Sequence, residues 1–475
     1  MRIRLFGQSV PASIVVRAAI EIVLLFLVMY GSALMRFHFD MATVERMTGP
    51  LWPRALLFSA VMFACQAAFG LHSVRQRARS EGLVVRIVAA SGVGVAVSAV
   101  CLYLIPDLWI GRGVVGLAGA GAAAVAMIVH IGLARLIDEE ALKGRVLVYG
   151  AGRAAEAILG LRRQADRRGF TVVGFVRSAG DSSDLMPTAG TLACASEAAL
   201  DSEEGLLRLC ERLDVDEIVV AVDDRRRSFP IRELLECRLA GVDVTELLTF
   251  LERESGRVRI DVLNPAWIIF GAGFRRDSLR QLTRRALDLI GSTVLLIVSL
   301  PAVVATVLAI KLEDGLRAPV LYRQERVGFG GQVFRLMKFR SMRADAEAPG
   351  EARWAQRNDP RVTRVGAVIR RLRIDELPQL LNVLRGDMSL VGPRPERPEF
   401  VTDLADRIPY YVERHCVKPG ITGWAQLCYP YGSSEQDALE KLQYDLYYVK
   451  NNSLLLDLVI LVQTAEVALL GKGAR

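Results

Sequence analysis

Four apolar stretches, residues 15–34, 55–71, 87–105 and 114–133, stand at the front of a 475-residue chain. Each is near the length of about 20 residues that spans the hydrocarbon of a bilayer. Hydrocarbon offers the backbone no partners, so such stretches must be helical. The whole chain is 52% apolar and 24% charged. Both fractions fit one molecule only if they are segregated, into a membrane part and a water-facing part. Disorder is excluded by the apolar fraction. Seven scattered cysteines without a CxxC exclude a secreted disulfide scaffold. Four histidines, His38, His72, His130 and His415, argue against a His-built zinc site or a Ser-His-Asp triad.

Lys and Arg in short loops orient the spans. Arg2 and Arg4 precede the first; Arg75, Arg77, Arg79 and Arg86 lie between the second and third; Arg135, Lys143 and Arg145 follow the fourth. The pattern predicts the N-terminus inside, four spans, and a cytoplasmic remainder after residue 140. In the first span Arg17 and Glu21 are one turn apart, suited to pair or snorkel. No paired charge is legible deeper in the spans. Gly116, Gly119 and Gly121 allow close helix packing, so these spans read as a scaffold or a homodimerisation face.

Residues 145–152 read as a strand running into a glycine turn, with Gly150, Gly152 and Ala155 in dinucleotide-fingerprint spacing. Further strands are expected at 171–176, 217–222 and 242–245, separated by helical patterns. This predicts a Rossmann-like α/β domain over 141–270. Arg177 ends the second strand where an acidic ribose ligand would be needed, and Asp181 comes about ten residues late. The alternative is a Rossmann-shaped spacer or sensor that binds no dinucleotide.

Residues 289–310 form a fifth apolar stretch with Pro301 at its centre. Arg275, Arg276, Arg280, Arg284 and Arg285 precede it, and Lys311, Arg317, Arg323 and Arg326 follow. Both flanks look cytoplasmic. A helix over 286–310 that enters the inner leaflet, breaks near Ser299 and Pro301 and returns satisfies both flanks. Asp288 could pair with Arg284. An ordinary fifth span is the alternative, and would put the C-terminal third outside.

From residue 271 to 420 there are 26 Lys+Arg against 17 Asp+Glu, enough to account for the net charge of +8. A basic surface beside a bilayer attracts anionic headgroups. Lys338 and Arg340 alternate with apolar residues, so a strand would aim both at one face. Arg370, Arg371, Arg373, Arg385 and Arg394 surround Asp375 and Glu376 in the sequence. Arginine suits bidentate recognition of phosphate oxygens. Adjacent carboxylates can hold a divalent cation or attack phosphorus. With Pro378 in a first helical turn, Asp375 reads as a helix N-cap, kept ionised by the helix dipole and the arginines. The bland alternative is a surface ladder with Arg371 and Asp375 as an i,i+4 pair.

Five ordered motifs, Lys338-Phe-Arg-Ser-Met342, Asp375-Glu-Leu-Pro-Gln379, Arg385-Gly-Asp-Met-Ser389, Val391-Gly-Pro-Arg-Pro395 and Lys418-Pro-Gly-Ile-Thr-Gly423, resemble the bacterial sugar transferases. These are polyprenyl-phosphate glycosyl-1-phosphate transferases with a single re-entrant membrane helix. The resemblance implies a catalytic domain over 271–475. It also implies transfer of a sugar-1-phosphate from a UDP-sugar to undecaprenyl phosphate, with release of UMP and a requirement for Mg²⁺. Asp375 would be the nucleophile forming a covalent phospho-sugar intermediate, with Glu376 its partner in catalysis or metal binding. Lys338, Arg340, Arg373, Arg385 and Arg394 would contact phosphate or uridine. The four spans in 1–140 and the Rossmann-like domain resemble the large members that start exopolysaccharide or O-antigen assembly. The family often has Ser-Pro at the helix break, whereas here Leu300 separates Ser299 from Pro301.

The run 454–470 contains Asp457, Gln463 and Glu466 and reads as an amphipathic interfacial helix. A membrane-anchored nucleotide sensor regulating polysaccharide export is the competing function. A sugar epimerase would need Tyr-x-x-x-Lys after the Rossmann half; Lys450 beside Tyr447 and Tyr448 has the wrong spacing. The expected partners are a UDP-sugar, undecaprenyl phosphate and membrane lipid, with no nucleic acid.

Overall fold

A computed structural model describes all residues except 1, 6–7, 72–79, 106–107, 133–142, 162–168, 179–204, 225–228, 264–277, 344–360, 430–431, 433 and 470–475. Arg75, Arg77, Arg79, Arg135, Asp181, Arg275 and Arg276 lie outside the described residues. The chain forms two compact units, Met1–Ser255 and Gly256–Arg475.

The first unit opens with a hairpin, β1 (Arg2–Leu5) and β2 (Gln8–Pro11), and then the helices α1 (Ala12–Arg36), α2 (Met41–Thr48), α3 (Trp52–Ala68), α4 (Ser80–Leu104) and α5 (Arg112–Met127). Helices α1, α3, α4 and α5 form a bundle, each against the next, with α5 closing onto α1. Segments Val16–Arg36, Arg86–Leu104 and Arg112–Gly132 are long and apolar enough to cross a membrane; α3 is 17 residues. The bundle is apolar on both faces: Val16, Val23, Leu27, Val88 and Val100 point outward, while Leu25, Met29, Phe58 and Met62 pack inside with alanines such as Ala118 and Ala122. A Cβ on Gly119 would come 2.2 Å from a methyl of Val95, so glycine sets how closely α5 meets α4. These helices make the chain a membrane protein.

One buried pair joins two helices of the bundle. His130, in a π-helical turn (Ile128–Gly132), lies 3.1 Å from Glu21 of α1, both fully enclosed. Nothing in linear spacing pairs residues 109 positions apart.

After the bundle come β3 (Gly144–Tyr149), α6 (Arg153–Leu159), β4 (Phe170–Val176), α7 (Leu206–Arg212), β5 (Glu217–Val220), α8 (Ile231–Leu239), β6 (Asp243–Glu246) and α9 (Leu247–Ser255). The four strands make one parallel sheet in the order β4-β3-β5-β6. Leu147, Ile218, Leu209 and Cys237 build its core.

The second unit begins, within the described residues, with α10 (Ser278–Asp314), 37 residues long. There follow the antiparallel hairpin β7 (Leu321–Val327) and β8 (Val333–Phe339), α11 (Arg364–Arg371), a 3-10 turn (Ile374–Glu376) and α12 (Gln379–Arg385). Next come β9 (Ser389–Val391), α13 (Pro398–Arg407), β10 (Gly420–Thr422), α14 (Trp424–Cys428), α15 (Glu435–Asn451) and α16 (Leu454–Leu469). Strands β9 and β10 pair in parallel. A core of Leu380, Val383, Met388, Leu390, Trp424, Tyr444 and Tyr448 ties these pieces together.

The expected break at Ser299 and Pro301 is not an interruption, because α10 stays helical through both residues. Pro301 removes one N–H, and the Ser299 hydroxyl donates to the Leu296 carbonyl instead of opening the chain. The expected Arg284–Asp288 pair is also absent. Arg284 reaches Asp457 at 2.9 Å and the Tyr448 hydroxyl at 2.5 Å. Asp288 accepts from the Ser389 hydroxyl at 2.9 Å and the Leu390 N–H at 2.8 Å. Tertiary partners outcompeted the one-turn neighbour for both side chains.

At its other end α10 is fastened to the same unit. Ile310 is buried with Phe339 and Ile369, the Glu313 carboxylate accepts from the Arg364 and Val365 N–H groups, and Asp314 pairs with Arg340. Between these two anchorages Ile290, Ile297, Val298, Leu300 and Leu308 are exposed.

Candidate active site

The site forms where β8, the 3-10 turn and the segment after β9 converge. Helix α11 ends at Arg371, and Arg373 adopts a left-handed conformation at φ 59°. That reversal separates Asp375 from α11, so Arg371 and Asp375 are not an i,i+4 pair on one helix. Nor is Asp375 the N-cap of α12: it lies in the 3-10 turn, and Pro378 takes the cap position. Proline at a helix start loses no needed N–H.

Asp375 and Glu376, adjacent in the chain, have unlike surroundings. The Glu376 carboxylate lies 2.9 Å from Arg394, 3.2 Å from Lys338 and 3.8 Å from Arg373. Burial works to raise its pKa, but Arg394, Lys338 and Arg373 outweigh burial and hold the carboxyl well below the usual carboxylate range. Asp375 is buried, with no hydrogen bond or ion pair among the described residues. Burial raises its pKa, opposed by Lys338 and reinforced by Glu376. This reverses the expectation that a helix dipole and arginines alone would keep it ionised. Lys338 is shifted down, chiefly by burial. Neighbouring carboxylates pushed apart in this way are a signature of divided chemical roles.

Two buried anchors put the cations there. Asn382 accepts from the Met337 N–H at 3.0 Å, and its amide donates to the Arg335 carbonyl at 2.9 Å. It thereby locks β8, and Lys338 with it, against α12. The segment bearing Arg394 is held by Gly420 N–H donating to the Pro393 carbonyl, by Arg326 donating to the Pro395 carbonyl, and by Val327 N–H donating to the Glu396 carbonyl.

Of the five cations read from sequence, Lys338, Arg373 and Arg394 meet at Glu376. Arg340 does not: it binds Asp314 at the end of α10. Arg385 is exposed beside the Met337 sulfur at 3.8 Å. Among the described residues no group of three or more His, Cys, Asp or Glu side chains is placed to hold a metal.

In the first unit, Gly150 and Gly152 do form the turn between β3 and α6, with Gly150 at φ 124°. The helix start, however, holds a carboxylate from the chain itself. Asp223 accepts from the Arg153 N–H at 3.0 Å and the Ala154 N–H at 2.8 Å. A Cβ on Gly152 would come 2.1 Å from its oxygen, so glycine makes room for Asp223. A dinucleotide pyrophosphate would need those same N–H groups.

A parallel sheet and an apolar helical bundle in one unit, and an acidic pair ringed by Lys and Arg in the other, define a membrane protein with a densely charged candidate site. A family model described as bacterial sugar transferase matches residues 279–471. The UDP-glucose:undecaprenyl-phosphate glucose-1-phosphate transferase of Escherichia coli is 31% identical over 350 residues, covering 73% of this chain and 72% of that protein. The UDP-N-acetylgalactosamine-undecaprenyl-phosphate N-acetylgalactosaminephosphotransferase of Aeromonas hydrophila is 43% identical over 244 residues, 51% of this chain and 56% of that one. The undecaprenyl-phosphate glucose phosphotransferase of Komagataeibacter xylinus is 45% identical over 199 residues, 41% of this chain and 37% of that one. The last two alignments span about half or less of those relatives' length. The chain belongs to the bacterial sugar transferase family.

Proposed function

We propose that this chain transfers a sugar-1-phosphate from a UDP-sugar to undecaprenyl phosphate, releasing UMP, as the first step of exopolysaccharide or O-antigen synthesis. The observation that carries the reading is the buried, unpaired Asp375 beside a Glu376 that gathers Lys338, Arg394 and Arg373. An Asp375 oxygen attacks the sugar-bearing phosphorus, the bond to the UMP oxygen breaks, and UMP leaves. A phosphate oxygen of the lipid then attacks the phospho-sugar, and the Asp375 carboxylate is regenerated. The three cations move from Glu376 toward the diphosphate, offsetting charge that develops on its oxygens. Asp375, with a free carboxylate, fits Mg²⁺ in the mode of one or two carboxylates completed by substrate phosphates. Glu376 is already engaged by cations. When bound, the ion would offset phosphate charge.

The Lys and Arg that flank the apolar helices support a cytoplasmic site at the inner membrane. Both ends of α10 are fastened to one compact unit, which favours a helix that dips into the bilayer, bending at Pro301 without losing its helical run, over one that crosses it. The carbohydrate differs among the relatives' names, so glucose and N-acetylgalactosamine donors are both candidates. The competing reading, a nucleotide sensor, is disfavoured by Asp223 at the glycine turn.

Membranes containing the Asp375→Asn variant, given UDP-sugar and undecaprenyl phosphate, should release no UMP above background and label no lipid. Full labelling would rule out Asp375 as nucleophile.

A further inference from the structure

Behind Arg394 lies a charged cluster that the reaction itself does not touch. Arg414 is buried at 6% exposure and Asp445 at 2%. One Arg414 nitrogen donates to the Tyr411 hydroxyl at 2.7 Å. The other donates to Asp445 at 2.7 Å and to the backbone carbonyl of Arg394 at 3.0 Å. Arg394 in turn donates to Glu376 at 2.9 Å and to the Gln426 amide oxygen at 3.4 Å.

We infer that Arg414 is a positioning residue for the transfer reaction, holding the backbone of Arg394 so that its guanidinium meets Glu376 and the donor diphosphate. The inference rests on the proposed function. Three features support it. Arg394 sits between two prolines, Pro393 and Pro395, which have no N–H to tie the segment down. The flanking residues are held through their carbonyls, Pro393 by Gly420, Pro395 by Arg326 and Glu396 by Val327, and at Arg394 itself it is Arg414 that takes the carbonyl. The guanidinium is suited to this because its fork donates in two directions at once, which an ammonium on a flexible stem does not reproduce. Asp445 supplies the counter-charge that lets Arg414 be buried at this depth, since an unpaired buried charge would be strongly destabilising. The chain of contacts thus runs Asp445, Arg414, the Arg394 carbonyl, the Arg394 guanidinium, Glu376. The Tyr411 arm is a branch that does not lead to the site.

The branch makes the test. Arg414→Lys keeps the charge but loses the fork; Tyr411→Phe removes only the branch. In full-length protein in membranes, Arg414→Lys should lower kcat/KM for UMP release about 10- to 100-fold, the range expected when a group supporting a reactive residue is lost. Tyr411→Phe should stay within about 3-fold of wild type while its melting temperature falls only by the loss of one buried hydrogen bond. In an Arg394→Ala background, Arg414→Lys should cost less than about 3-fold further, because its effect runs through Arg394. Losses that track stability in both variants, or add fully in the double variant, overturn the positioning role alone. A wild type that releases no UMP from UDP-glucose, UDP-N-acetylgalactosamine or other UDP-sugars overturns the functional reading and this inference with it.

Discussion

Burial raises the Asp375 carboxyl, whereas three cations lower that of its neighbour Glu376, and both effects have consequences in pH. A nucleophilic Asp375 must be ionised. Activity should therefore be lost as pH falls through a pKa above the ordinary aspartate value of about 3.9. The acid limb of kcat/KM measures this, and a limb below that value would contradict the assignment. Glu376 behaves oppositely. Its folded pKa is depressed, so the ionised form stabilises the fold at neutral pH, and that contribution is lost as pH falls below about 4.3. Glu376→Gln strands Lys338 and Arg394 in a half-buried site and should cost on the order of 3 kcal/mol at pH 7. Thermal melts against pH should show this deficit shrinking below about pH 4.3; a deficit that persists undiminished would mean packing, not charge, is responsible. At this scale the sequence displayed the Asp375-Glu376 pair, Lys338, Arg373 and Arg394 as candidates. It could not show that Arg340 turns to Asp314 or that Arg414 reaches back to Arg394, since those choices depend on which elements meet.

Helix α10 shows where element-level reading succeeds and where it stops. Apolar length and basic flanks were visible between residues 275 and 326. The proline suggested a break, yet helix formation tolerates one missing N–H when both ends are held. Arg284, Arg285 and Asp288 hold one end: Arg285 donates to the Val383 and Leu384 carbonyls at 2.6 and 2.7 Å, at the C-terminal end of α12. Such a contact satisfies orphan carbonyls of the helix and complements its dipole. Among the described residues none covers the exposed apolar middle of α10, which suits lipid. A single cysteine placed within residues 344–360, in a background lacking the seven native cysteines, should stay unreactive to an impermeant reagent added from outside the cell. Labelling there would show that α10 crosses the bilayer. The left-handed Arg373, which aims Asp375 inward, carries no sequence signature, since non-glycine residues enter that region only where packing compels them.

At the scale of the molecule, the membrane bundle and parallel sheet fall in one unit, and the acidic–basic site and the apolar α10 in the other. The glycine turn of the sheet was legible as a motif, but its occupant was not: Asp223 arrives from a loop 70 residues away. The proposed divalent ion would be held jointly by chain and substrate, because Asp375 alone offers too few ligands. Chelation with EDTA should therefore abolish UMP release, and Mg²⁺ should restore it, with little change in the melting temperature of the substrate-free protein. Activity that survives exhaustive chelation would remove the metal from the mechanism.

Sequence alone determined where the apolar helices of the bundle lie, the alternation of strands and helices around the glycine turn, the long apolar helix and the residue types of the site. Each of these is encoded locally, by hydrophobic periodicity, turn chemistry or charge spacing. Tertiary structure decided which cations serve Glu376, why Asp375 is left unpaired, that α10 runs unbroken between two anchorages, and that Glu21 meets His130. Those outcomes depend on competition among distant partners for a few buried polar groups. Burial makes each such pairing strong, and linear distance says nothing about which partner wins.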